Sequence, residues 1–245
     1  MSQSRLAVGA GLLPLGAFVV RERRAVHPLL PLHLVLHRTR GAAIAAMFLS
    51  ATGVFGILLF LTYYLQTALG YSPVEIGLAF LPMAATMIVV GGACSARLAS
   101  PGAARAMVPA GLLAAGLGMA MLTRIGVEPH YVSIVLPATM VTGSGLGLVF
   151  APCFNLGTAG VDDSDAGTAS ATLHVAQQIG GSVGTAMLNS VATAVAAHYL
   201  AAHPQPEATA HAAVHSYSVV FWIAAATFVL ASVIVSALLR SAFRR

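Results

Sequence analysis

Apolar residues run along this chain in seven long stretches separated by short polar gaps, with no soluble-type alternation between a wet and a dry face. Six of the stretches have the length a helix needs to cross a hydrocarbon core of about 30 Å, roughly 20 residues at 1.5 Å each. By apolar length and by their Gly, Pro and Arg punctuation they are placed at 41–66, 76–96, 104–123, 131–152, 171–197 and 218–239. The seventh, Leu6 to Val20, covers only about two thirds of a bilayer core and is read as a truncated membrane helix. It has no convincing small-residue cleavage site and runs directly into Arg21-Glu22-Arg23-Arg24, so a signal peptide fits less well. The pattern predicts an all-α polytopic membrane protein. Its parts are a partial leading helix in 1–20, an Arg-rich cytoplasmic linker in 21–40 and a six-helix bundle in 41–245.

Composition supports the membrane assignment and excludes other classes. Hydrophobic residues make up 58% of the 245 and charged residues only 8%, outside the range of a water-soluble core. The net charge of +5 would suggest nucleic acid in a soluble protein, yet no basic patch interleaves with aromatics; no nucleic-acid partner is expected. All twelve basic residues are Arg, and their positions carry the orientation. Ten fall in alternate gaps, with only Arg5 and Arg124 on the other side, so the positive-inside rule puts the linker, Arg97, Arg105 and the carboxy-terminal tail in the cytoplasm. Six spans divide into two sets of three, 41–123 and 131–239, of necessarily opposite orientation, as in the inverted three-helix repeats of transporters. The longest external loop is expected at 198–217.

Polar residues inside the spans mark where chemistry or packing could lie. At 100° per residue, His174, Gln178, Gly181, Thr185 and Asn189 share one face of the fifth span. That face fits either a hydrated substrate path or an interhelical hydrogen-bonding seam, with Gly180, Gly181 and Gly184 letting a neighbouring backbone approach. Gly143-Ser144-Gly145-Leu146-Gly147 lacks the strand–turn–helix setting of a nucleotide loop, so Gly143 and Gly147 are read as helix-crossing residues. Ser144 with His174 would be a minimal serine-protease pair, a far weaker reading. Tyr64 fits an interfacial anchor or a residue turned into the bundle, where it could meet an aromatic ligand.

His211 and His215 have metal-compatible spacing but no supporting Cys or carboxylate, so a solvated loop is the better reading and neither metal nor cofactor is expected. Cys94 and Cys153 lie in apolar sequence as small packing residues, with no disulfide framework implied. All seven acidic residues fall in gaps or at span ends, so no carboxylate is available at mid-membrane depth for proton coupling.

Read together, several motifs resemble the second half of the 14-span drug:proton antiporters of the major facilitator superfamily. They are Arg21-Glu22-Arg23-Arg24, Pro28-Leu29-Leu30-Pro31-Leu32, Tyr64-Leu65-Gln66, Leu69-Gly70-Tyr71-Ser72-Pro73 and Gly77-Leu78-Ala79-Phe80-Leu81-Pro82. The run continues in family order through Gly143 to Gly147, Pro152, Ala166-Gly167-Thr168-Ala169-Ser170 and Gln178-Ile179-Gly180-Gly181-Ser182-Val183-Gly184. The resemblance implies that 6–20 is the end of the eighth helix and that the six spans are the ninth to fourteenth. It further implies a plasma-membrane, non-enzymatic exporter of lipophilic or cationic small molecules, working by alternating access with coupling carboxylates in a separate amino-terminal half. One wall of the site would then come from Tyr64, Asn155, His174, Gln178 and Asn189. His174 and Gln177 stand where relatives commonly have Asn and Arg, and Ala96 replaces the acidic member of the cytoplasmic gating loop around Arg97 and Arg105, so neither role is carried over. A non-transporting fragment acting in assembly or regulation is the main alternative.

Overall fold

In lipid every backbone N–H and C=O must be satisfied within the segment, and long apolar sequence therefore folds as helix. The computed structural model describes residues 38–95, 101–128, 130–161, 163–205 and 208–242. The expected leading helix, nearly all of the linker and Arg97 lie outside these residues. Six helices follow: α1 (Arg38–Ala68), α2 (Pro73–Ser95), α3 (Pro101–Leu122), α4 (Leu136–Thr158), α5 (Asp163–Ala202) and α6 (Ala208–Ala242). A π-type turn, Tyr131–Val135, leads into α4. All six are long and apolar enough to cross a membrane, and there is no strand among the described residues.

The helices overrun the expected spans, and one difference changes the picture. The stretch 198–217 is not a long loop: α5 continues to Ala202 and α6 begins at Ala208. Alanine-rich sequence on both sides favours helix, and α5 ends at Ala202, two residues before Pro204. His211 and His215 are therefore residues of α6. In the same way α4 passes through Pro152 to Thr158, which puts Asn155 on a helix.

Packing relates the first three helices to the last three. α1 packs against α5 and α6, while α4 packs against α2 and α3. Exchanging α1 with α4, α2 with α5 and α3 with α6 converts one set of neighbours into the other. The pairs α1–α4 and α3–α6 are also in contact and map onto themselves. The turns obey the same exchange: α1 is followed by Gly70 at φ +67° and α4 by Gly160 at φ +65°. A side chain in that left-handed region costs about 1 kcal/mol, so glycine ends both helices. The α5–α6 contact has no comparable α2–α3 counterpart among the described residues, and there the symmetry breaks.

Close backbone approach replaces hydrophobic drive as the source of helix association in lipid. A Cβ on Gly147 would stand 2.6 Å from the Met87 carbonyl oxygen and 2.9 Å from the Gly91 nitrogen, so this glycine seats α4 on α2. Gly143 meets Met83 on the same helix, while Gly145 faces Gly111 and Ala115 of α3. On α5, Gly180 rests on Phe48, Gly181 on the Phe55 ring and Gly184 on Thr52, all of α1. The Thr52 hydroxyl donates to the Gly180 carbonyl at 3.1 Å across that contact. Between the helices lie Met47, Ile57, Phe60, Leu112, Met119, Leu146, Phe221 and Phe228, all at most 1% exposed.

Candidate functional site

α2 and α5, equivalent under the exchange, have the least buried spans of the six. Their exposed faces differ in chemistry. α2 presents Val74, Leu78, Leu81, Ile88 and Val89, an apolar surface. α5 presents His174, Gln178, Ser182, Asn189 and Thr193, all exposed and spread over about 100° of the helix. Beside them lies the apolar strip of Val175, Ile179 and Val183. From His174 to Asn189 the polar strip climbs about 22 Å, most of a hydrocarbon core.

The two readings of this helix separate in the structure. Gly180, Gly181 and Gly184 turn toward α1 and form the seam. Gln178 and Asn189 lie on the exposed side, and among the described residues neither amide side chain is hydrogen-bonded to a neighbouring helix. The hydroxyls are quieter: Ser182 donates to the Gln178 carbonyl at 2.9 Å and Thr193 to the Asn189 carbonyl at 2.9 Å, each within its own helix. His174 stacks at a tilt on Phe154 of α4, with ring centroids 4.9 Å apart. Asn155, the next residue, is also exposed, so α4 and α5 bring Asn155 and His174 to neighbouring positions at one end of the strip.

Two sequence-level alternatives find other partners. The Ser144 hydroxyl donates to the Met140 carbonyl of its own helix at 2.8 Å and shares no hydrogen bond with His174. Tyr64 is 1% exposed and turned into the bundle, where its hydroxyl donates to the Gly126 carbonyl at 3.0 Å. It stands apart from the exposed strip, because the end of α1 needs a partner for a phenol that lipid cannot satisfy.

The helix ends carry further contacts. Arg38, Arg40, Arg105 and Arg240 gather at one end of the bundle, as the alternating helix directions require, and Arg124 stands at the other. Arg40 Nη2 donates to the carbonyls of Ala159 at 3.2 Å and Gly160 at 3.1 Å, just beyond the end of α4. By charge counting Arg40 is only an orienting residue; in the structure its side chain caps a helix 120 positions away. Ser72 caps α2 reciprocally with Glu75, donating from N and Oγ to the carboxylate at 2.7 and 2.8 Å. Both cysteines are buried and free. Among the described residues no three His, Cys, Asp or Glu converge closely enough for a metal ion.

Residues 6–185 match the family model of the Major Facilitator Superfamily. The chain belongs to that superfamily. It is 42% identical over 236 residues to the puromycin resistance protein pur8 of Streptomyces alboniger, covering 94% of this chain and 46% of the relative. It is 35% identical over 185 residues to the cephamycin export protein CmcT of Amycolatopsis lactamdurans, covering 75% and 38%. A probable actinorhodin transporter of Streptomyces coelicolor is 32% identical over 189 residues, covering 74% and 32%. The chain thus spans less than half the length of these curated relatives. As a superfamily member with six membrane-crossing helices it is a multi-span membrane protein.

Proposed function

We propose that this chain is the carboxy-terminal half of a plasma-membrane exporter of lipophilic or cationic small molecules, and that the polar strip of α5 is its wall of the transport path. One observation carries the reading. Gln178 and Asn189 expose amides along a membrane-spanning helix without hydrogen-bond partners among the described residues, and unpaired amides in hydrocarbon cost several kcal/mol each. Water, substrate or a second helical bundle must meet them. The relatives' names, puromycin resistance and cephamycin export among them, supply the kind of cargo. The substrate would lie between two bundles near the midplane, with His174, Gln178, Asn189 and Asn155 on this side, and alternating access would rock one bundle against the other.

Proton entry would drive the cycle, with the coupling carboxylate on the opposite bundle. The helices described here carry acidic residues only in first turns, Glu75 in α2 and Asp163 and Asp165 in α5.

Expression of residues 1–245 together with an amino-terminal six-helix half from a puromycin exporter tests the reading. Puromycin efflux is expected from the pair, from neither half alone, and at a strongly reduced rate with Gln178→Ala/Asn189→Ala. Unchanged efflux by a well-folded double variant would remove α5 from the path. Co-purification with an intact transporter, with transport indifferent to both residues, would favour the non-transporting role.

A further inference from the structure

At the end of the bundle opposite the arginine cluster, the loop after α3 and the facing ends of α5 and α6 enclose an open pocket of about 590 Å³. Its rim carries Arg124, Glu128 and His130 from the loop, Tyr199 from α5, and His211, His215 and Ser218 from α6. Ile125, Val127 and Val214 complete it with apolar surface. The aromatic groups are organised: Tyr199 stacks on His203 at 4.4 Å and 23°, and the His215 ring is tilted against Tyr199 at 5.5 Å and 39°. The Ser218 hydroxyl is engaged with the Thr123 carbonyl at 2.9 Å, which fixes the loop to α6.

We infer that this pocket is an anion site for a phosphate group, presented to it by an anionic lipid headgroup or as free phosphate. The inference goes beyond the export reading and does not depend on it. A guanidinium and three imidazoles supply nitrogen donors around one volume, and arginine pairs with phosphate by charge-assisted hydrogen bonds. The apolar patches give the glycerol end of a lipid a place to rest. The site lies at a helix-end level, where headgroups meet a membrane protein.

The charged and imidazole groups facing the pocket are Arg124, Glu128, His130, His211 and His215. Arg124 is the guanidinium of the lining, and Glu128, whose carboxylate lies 3.9 Å from His130 Nε2 and is 91% exposed, is its carboxylate. Glu128 opposes the anion, and its removal strengthens binding.

Native mass spectrometry of the full chain in detergent, titrated with phosphatidylglycerol or phosphatidylcholine, reads the site directly. Phosphatidylglycerol should bind on the order of tenfold more tightly than phosphatidylcholine. Arg124→Gln and His211→Gln/His215→Gln should each reduce that preference, and Glu128→Gln should raise the affinity for phosphatidylglycerol. Circular dichroism and thermal melting confirm that each variant is folded. Displacement of the lipid by millimolar inorganic phosphate would identify the free ion as a ligand, and no displacement would identify the headgroup. Binding indifferent to the headgroup's charge and to Arg124, or weakened by Glu128→Gln, would overturn the site.

Discussion

Arg40 closes the end of α4 from the beginning of α1: one guanidinium nitrogen reaches both the Ala159 and the Gly160 carbonyls, at 3.2 and 3.1 Å. Carbonyls beyond a helix C-terminus have no partner in their own helix and carry the negative end of its dipole. A cation there satisfies both, and it joins the leading helices of the two three-helix sets. Arg40→Ala should destabilise the bundle by about 1–3 kcal/mol, read as a lowered unfolding midpoint in detergent. Arg40→Lys should recover part of the loss, because the charge remains while the geometry that reaches both carbonyls does not.

Glycine spacing makes a second prediction with an internal control. A methyl group at Gly147 would collide with the backbone of α2, and one at Gly180 with the backbone at Phe48. Neither obstacle is a flexible side-chain end. Gly147→Ala and Gly180→Ala should each cost about 1–3 kcal/mol or push the helices apart. Gly77 and Gly167 face open space, so alanine there should be neutral or slightly stabilising through helix propensity. Equal losses at all four positions would show that close approach is not what these glycines provide.

Much of this fold was legible in the hydropathy pattern, because length, apolarity and Arg position are one-dimensional quantities. The six helices and their order required nothing more. What the pattern missed were three-dimensional relations. Alanine between His198 and Tyr217 is only mildly apolar, so a hydropathy window stops where the helix does not, and His211 and His215 read as loop residues although they lie on α6. Arg40 reads as one more cytoplasmic charge until the turn at Gly160 is brought beside it. On α5 the sequence showed one face holding both glycines and amides; only the packing against α1 separated the seam from the exposed strip.

Tyr64 tests that distinction from the other side. Its phenol is enclosed at the end of α1 and holds the loop at Gly126, away from the polar strip. Tyr64→Phe keeps the ring and its packing while removing the donor. The expected cost is about 1 kcal/mol of stability, with the Gly126 carbonyl left without this donor. Puromycin efflux by the reconstituted pair should be unchanged once expression is matched. A selective loss of transport with normal stability would instead return Tyr64 to the substrate wall.

Gln178 and Asn189 should behave in the opposite way. Among the described residues neither amide is hydrogen-bonded to another helix, so Gln178→Ala and Asn189→Ala remove no such bond and should leave the stability of the chain within about 0.5 kcal/mol of the parent. Leucine is the more informative replacement. On a lipid-facing surface Gln178→Leu and Asn189→Leu would be tolerated or stabilising, because they exchange unpaired amides for apolar groups. On a path they would remove hydrogen-bonding capacity from a hydrated wall, and transport by the pair should fall by tenfold or more, on the order of the 1.4 kcal/mol that one lost hydrogen bond provides. Stability measured on the chain alone and efflux measured on the pair therefore move independently, and only a path residue loses the second while keeping the first.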